Sequence, residues 1–129
     1  MRVAILADDL IWSSRLADLV RGVGADASPV RTAAGLAAAL PEVDRVIVDL
    51  TARGYDGIVA VSMAHEAGRP VLAIGQHDDA AARRAALAAG ADRVHPYRRL
   101  HDSGPRLIRE WLGVPVDEAA AGPTAGVAR

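Results

Sequence analysis

The sequence of 129 residues contains no cysteine and no lysine, so all 15 of its basic residues are arginine. Without cysteine, the chain has no disulfides, no thiol catalysis and no cysteine-ligated metal. Aromatic residues make up only 3% of the chain, which disfavours a planar cofactor held by ring stacking. The net charge is -1 and no block of one sign occurs, so we do not expect nucleic acid as a partner.

Long hydrophobic runs are also missing. No apolar stretch is long enough to span a membrane, and the N-terminal MRVAILADDL becomes acidic too early for a signal peptide. We therefore expect a cytoplasmic protein with no membrane partner. Because 51% of the residues are hydrophobic and 24% are charged, the composition is typical of one globular domain. We expect this domain over residues 1–113 and a flexible tail over 114–129, where VPVDEAAAGPTAGVAR lacks periodicity.

Short apolar runs alternate with amphipathic stretches. The apolar runs predict strands over residues 2–6, 26–30, 45–50, 69–75 and 92–97. The amphipathic stretches predict helices over residues 10–23, 32–40 (capped by Thr32), 57–67, 78–89 and 105–112. This alternation predicts a flavodoxin-like α/β fold, a doubly wound five-stranded parallel sheet in the order 2-1-3-4-5 with helices on both faces. Its core is expected to contain Ile5, Val46, Ile47, Val48, Leu72 and Ile74.

Three carboxylates follow strands that are neighbours in this order. Asp8 and Asp9 come after the first strand, and Asp49 ends the third. Like charges this close raise one another's pKa or recruit a cation, and Mg²⁺ prefers one or two carboxylates with retained water and phosphate oxygens. A carboxylate beside such a metal can attack a phosphoryl group. The alternative is that these residues only end strands and cap helices.

The chain resembles the receiver domain of two-component response regulators over residues 2–112. The resemblance rests on LADDL after the first strand, VIVDL ending in Asp49, DG at 56–57 and LAAGAD at 87–92. It implies that Asp8, Asp9 and Asp49 bind Mg²⁺ and that Asp49 accepts a phosphoryl group from a histidine kinase in a phosphorelay. It also implies a signalling domain, not an enzyme, which acts by contact with a protein partner, either a kinase or a downstream signalling protein. We expect a monomer or a homodimer.

The chain departs from the receiver pattern at three places. Receivers carry a serine or threonine at the end of the fourth strand, where this sequence has Gly75. They carry a lysine at the end of the fifth strand, where RVHPYRRL offers His95, Tyr97 and Arg98 and no ammonium group. No proline follows the acceptor in DLTARGYDG. These departures predict a stand-alone pseudo-receiver. Phosphorylation of Asp49 is then expected to change its conformation only weakly.

The loop after the fourth strand offers further contacts at the same edge of the sheet. Gly75, Gln76 and His77 are candidates to touch a phosphate or another ligand, although a loop histidine is more often solvated or a helix cap. Arg98 and Arg99 either approach the carboxylates or project into water. A second interpretation of the chain is a small flavodoxin-like enzyme or ligand-binding module. It would use Asp8, Asp9 and Asp49 for metal-assisted phosphate chemistry.

Overall fold

The computed structural model describes residues 1–114 and contains one parallel sheet of five strands. The strands are β1 (Arg2–Leu6), β2 (Asp26–Val30), β3 (Arg45–Asp49), β4 (Val71–Gly75) and β5 (Arg93–Pro96). The helices are α1 (Leu10–Gly22), α2 (Ala33–Ala39), α3 (Gly57–Glu66), α4 (Ala80–Ala89) and α5 (Tyr97–Leu112), with a short 3₁₀ helix at Leu40–Glu42. The order β2-β1-β3-β4-β5 confirms the predicted fold class. Of the predicted tail, residues 115–129 lie outside the described residues.

The strand register brings the ends of β1, β3 and β4 to one edge of the sheet. Leu6 of β1 pairs with Val48 of β3, and Asp49 pairs with Ile74 of β4. All pairs are parallel, so the loops that leave these strands emerge at the same carboxyl edge. Loops at this edge of an open α/β sheet form the usual ligand crevice.

Polar side chains begin four of the helices, and the predicted cap Thr32 is one of them. Asp9, Thr32, Asp56 and Asp79 each accept a hydrogen bond from a backbone N–H in the first turn of the helix that follows. Such caps satisfy the unpaired N–H groups at a helix start and contribute about 1 kcal/mol each. The caps therefore set where the chain turns from each strand end into the next helix.

The sheet separates two hydrophobic clusters. On one face, Ile5, Ile47, Leu72 and Ile74 pack against residues of α1 and α5. On the other face, residues of β1, β3 and β4 pack against α2, α3 and α4. All six residues predicted for the core have no exposed surface, so that prediction is confirmed. The continuous burial of the central strands explains why they are apolar runs without alternation.

Helix α5 begins eight residues earlier than the sequence predicts. The predicted start at Pro105 is wrong, because helical residues already begin at Tyr97. Ser103 has non-helical backbone angles (φ -139°, ψ 29°) and divides α5 into two segments, the second of which contains Pro105 near its start. Proline is favoured in the first turn of a helix, so Pro105 indicated the start of the second segment of α5 and gave no sign of the first. No helix among residues 1–114 is long and apolar enough to cross a membrane.

Candidate functional site

A crevice of about 700 Å³ lies at the carboxyl edge between the ends of β1 and β3. We call it the acidic crevice, and it is lined by Asp8, Asp9, Trp12, Asp49, Thr51, Arg53, Gln76 and Tyr97. The three carboxylates predicted from the sequence therefore line one space. This position follows from the register, because β1 and β3 are paired neighbours.

Asp49 is the most buried carboxylate of the crevice. The residue is only 1% exposed, and its Oδ1 accepts hydrogen bonds from the Thr51 backbone N–H at 2.9 Å and the Thr51 hydroxyl at 2.8 Å. The Tyr97 hydroxyl donates to the same oxygen. Hydrogen bonds of this kind compensate a carboxylate for the water that it loses on burial. Oδ2 makes no hydrogen bond with any residue that the structure describes, so one oxygen of Asp49 is available for chemistry.

Asp8 and Asp9 hold the loops around the crevice. Asp8 Oδ2 accepts from the backbone N–H groups of Arg53 at 3.2 Å and Gly54 at 3.0 Å, which fixes the loop after β3. Asp9 Oδ1 caps α1 by accepting from Ile11 N–H at 2.8 Å. Each carboxylate uses one oxygen in these contacts, and the second oxygen of each has no hydrogen-bond partner among residues 1–114. The alternative role as a helix cap is thus real for Asp9, whereas Asp8 binds the backbone of a loop, and both also line the crevice.

The crevice suits a weakly held hydrated magnesium ion better than a tightly bound one. Among the described residues, no three His, Cys, Asp or Glu side chains are close enough together to hold a metal. The oxygen donors, however, are of the type that Mg²⁺ prefers, and this ion commonly uses one or two carboxylates and several waters. The magnesium site at Asp8, Asp9 and Asp49 therefore stays a prediction, and the oxygen ligands there are of a suitable type.

Tyr55 contacts the backbone at the ends of the two strands beside the crevice, a role that no sequence pattern indicated. Its hydroxyl lies 3.0 Å from the carbonyl oxygen of Leu6 and 2.7 Å from that of Asp49. It therefore bridges the ends of β1 and β3. Burial raises the pKa of the Tyr55 hydroxyl far above its ordinary value, and nearby Asp49 and Asp8 raise it further. The hydroxyl thus stays protonated and acts as a donor.

Tyr97 covers the crevice from the start of α5, and this role was also missed. Its ring lies 4.3 Å from that of Trp12, centre to centre, and its hydroxyl contacts both Asp49 and Thr51. Burial raises the pKa of the Tyr97 hydroxyl, and the hydrogen bond to Asp49 raises it further. Its position directly after Pro96, beside the site where receivers carry lysine, was the signal that could have indicated this contact.

The three residues after β4 do not all reach the acidic crevice. Gln76 lines it, whereas Gly75 and His77 line a smaller cavity of about 110 Å³ between the β4–α4 loop and β5, which also includes Gln76. Gly75 is buried, yet a Cβ there would meet only the Leu50 side chain, at 3.6 Å. Space alone therefore does not explain the missing hydroxyl at this position.

No cationic side chain occupies the place of the receiver lysine. His95 borders the smaller cavity, and Arg98 and Arg99 are exposed. Within the described part of the chain, no ion pair involves Asp8, Asp9 or Asp49. Of the two alternatives left open for Arg98 and Arg99, the structure favours projection into water.

No protein-family model matches the sequence, and no curated protein matches it significantly. Many solved structures do match, and they include receiver domains of response regulators. The receiver domain of NtrX from Brucella abortus is 17% identical with a TM-score of 0.77, covering 88% of this chain and 99% of that one. A two-component response regulator from Clostridium difficile is 11% identical, also with a TM-score of 0.77, covering 91% and 99%. The receiver domain of Francisella response regulator 1452 is 15% identical with a TM-score of 0.73, covering 87% and 96%.

These similarities cover 87–91% of this chain and 96–99% of each matched chain. The predicted resemblance to receiver domains is thus confirmed at the level of the fold. Sequence identities of 11–17% to these structures support a shared fold and no further shared property. What the crevice does must therefore be argued from its own residues.

Proposed function

We propose that this chain is a receiver-like signalling domain. Its Asp49 accepts a phosphoryl group, and the domain acts by binding a protein partner. The observation that carries the proposal is the position of Asp49. It ends β3, it is buried, and it lines one crevice with the carboxylates that follow the adjacent strand β1. This arrangement at the switch point of a 2-1-3-4-5 sheet supports binding and chemistry.

The chemistry open to Asp49 is phosphoryl transfer from an activated donor. Oδ2 would attack phosphorus, the bond from phosphorus to the donor's leaving atom would break, and the mixed anhydride of Asp49 would form. A hydrated magnesium ion bound by one or two of the carboxylates Asp8, Asp9 and Asp49 would neutralise charge on the phosphoryl oxygens. The crevice of about 700 Å³ has room for both the phosphoryl group and water.

Poor switching is the second part of the proposal. A phosphoryl group changes a conformational equilibrium only through groups that meet it differently in the two states. Gly75 offers no hydroxyl, and the chain contains no lysine whose ammonium group could meet the phosphoryl group. Each such charge-assisted hydrogen bond contributes about 1.5–3 kcal/mol, whereas carrying a two-state equilibrium from mostly off to mostly on needs about 5.5 kcal/mol. The domain is therefore a pseudo-receiver that rests in one conformation.

Partner contact is supported by apolar surface beside the crevice. Leu10 and Ile11, in the first turn of α1, are 62% and 65% exposed. They adjoin Asp9, so a protein that docks there reaches the crevice as well. The partner we propose is a histidine kinase or a downstream signalling protein, met in the cytoplasm by a monomer or homodimer of this chain.

The alternative function, as an enzyme or ligand-binding module, is less well supported. The two aromatic rings of the acidic crevice, Trp12 and Tyr97, pack on each other at 4.3 Å and leave no slot for a planar cofactor between them. The cavity beside Gly75 and His77 measures only about 110 Å³. We therefore propose that the domain is not an enzyme.

Acceptance of a phosphoryl group is tested with acetyl phosphate and magnesium. We expect the intact protein to gain the mass of one phosphoryl group, while an Asp49→Asn variant gains none because the amide is not a nucleophile. Release of acetate in equal amount confirms the transfer. Modification of the Asp49→Asn variant to the same extent would contradict the proposal, and so would a wild-type protein that stays unmodified.

A further inference from the structure

The hydrogen bonds at Asp49 share a limited number of protons. Three polar groups meet around Asp49 Oδ1, namely the Thr51 backbone N–H, the Thr51 hydroxyl and the Tyr97 hydroxyl. The two hydroxyls also contact each other at 2.5 Å. Two hydroxyl protons serve three contacts, and the full negative charge of the carboxylate is the strongest acceptor available. Both hydroxyls are therefore directed at Asp49.

Phosphorylation would weaken this arrangement. When Oδ2 bonds to phosphorus, the negative charge leaves the carboxyl group, and Oδ1 becomes the neutral carbonyl oxygen of a mixed anhydride. Hydrogen bonds to a charged acceptor are roughly twice as strong as those to a neutral one. Donors directed at Oδ1 therefore stabilise the unmodified carboxylate more than the acyl phosphate.

Tyr97 is placed to oppose entry into the crevice as well. Its ring is half-buried against Trp12, so both rings line the space that an arriving group would occupy. Tyr97 lies 48 residues from Asp49 in the sequence and belongs to the first segment of α5, which ends at the non-helical Ser103. This break separates the turn that carries Tyr97 from the segment of α5 that follows, although Leu100 anchors that turn in the core.

We propose that Tyr97 is a positioning residue that holds Asp49 in its unmodified form and restrains phosphorylation. The inference rests on the proposed acceptor function of Asp49. Tyr97 does not itself enter the reaction, because the transferred group passes from donor to Oδ2. Its hydroxyl sets how strongly the protein favours the free carboxylate, and Thr51 contributes the second hydroxyl.

The test compares two tyrosine-to-phenylalanine variants. Tyr97→Phe keeps the ring on Trp12 and removes the hydroxyl that faces the Asp49 carboxylate. Tyr55→Phe is the matched control, because the Tyr55 hydroxyl shares its one proton between the backbone carbonyl oxygens of Leu6 and Asp49 and does not contact the carboxylate. Binding of beryllofluoride, a phosphoryl mimic, is titrated in magnesium buffer and followed by the indole resonance of Trp12 and the backbone amide of Thr51.

The expected result is that Tyr97→Phe binds beryllofluoride about tenfold more tightly than wild type, the effect of one charge-assisted hydrogen bond. Tyr55→Phe should bind no more tightly than wild type, even if it is less stable. Weaker or equal binding by Tyr97→Phe, while wild type responds, would overturn the inference and leave the proposed function intact. No response from either protein would contradict the proposed function and the inference with it. A response from Tyr97→Phe alone would support both.

Discussion

His95 occupies the end of β5 with an unpaired buried nitrogen. Its Nε2 has no hydrogen-bond partner among the described residues. Burial lowers the pKa of His95, and the nearby positive charges of Arg99, Arg93 and Arg83 lower it further, while Glu110 acts in the opposite direction. At a pH near the ordinary pKa of histidine, the His95 imidazole is therefore neutral in the folded protein, whereas the same histidine in the unfolded chain is already partly charged.

This environment predicts a pH dependence of stability. As pH falls below about 6.5, the ordinary pKa of histidine, the unfolded chain takes up the His95 proton before the folded protein does, so the free energy of unfolding decreases. In a His95→Gln variant this decrease should be smaller. Chemical denaturation at pH 8 and pH 5.5 measures it, and the pH 8 value serves as the control for lost packing. Equal decreases in both proteins would contradict the prediction.

Single residues differ in how far the sequence predicts them. The convergence of Asp8, Asp9 and Asp49 in one crevice was predictable, because they lie at or just after the ends of apolar strands, and parallel strands present their ends at one edge. Tyr55 and Tyr97 were not, because their contacts with Asp49 depend on the path of loops and on where α5 begins. A hydroxyl can reach a carboxylate from any neighbouring element, so strand and helix periodicity carries no signal for it.

At the scale of elements, a loop joins Asp49 at the end of β3 to α3, and the close packing at the start of that helix explains why Gly57 is a glycine. Asp56 caps α3, and Gly57 is its buried first residue. A Cβ on Gly57 would lie 3.0 Å from Leu50 Cα and 3.2 Å from Leu50 Cδ2. Glycine therefore allows α3 to start against the backbone that directly follows Asp49.

A Gly57→Ala substitution should destabilise the fold through this close approach. Overpacking in a buried site costs about 1–3 kcal/mol, and the backbone of Leu50 cannot move aside as a flexible side chain would. The matched control is Gly22→Ala in α1, where a Cβ would meet no atom within 4 Å. There the better helix propensity of alanine should leave stability unchanged or raise it by up to about 1 kcal/mol. Equal effects of the two substitutions in urea denaturation would contradict this account.

Element boundaries followed the chemical signals that the sequence contains. The four helices with an Asp or Thr cap were predicted to within about two residues, including α4, which ends at Gly90 with φ +117°. The first segment of α5 lacks this signal, since its cap residue is Pro96 and no side chain caps it. Its start is set by tertiary contacts, among them the packing of Tyr97 on Trp12. Such contacts override local propensity and are not visible in the sequence.

At the scale of the whole molecule, the fold was predictable because its rules are few. Five apolar strands alternating with helices require a covered parallel sheet, and right-handed crossovers limit the strand order. The same rules place the acidic crevice at the carboxyl edge. They do not determine whether a chemical event in the crevice reaches the rest of the molecule, because that depends on particular groups such as those absent at Gly75 and His95.

The most direct test of the central claim is a backbone amide NMR spectrum with and without beryllofluoride in magnesium buffer. The account predicts shifts in the loops around Asp9, Asp49 and Gly75 and in residues 97–102, where Tyr97 is displaced. It predicts little change in α4 and in residues 104–112, because the groups that would transmit the event are missing. Large shifts throughout α4 and residues 104–112 would show a responsive switch and contradict the account.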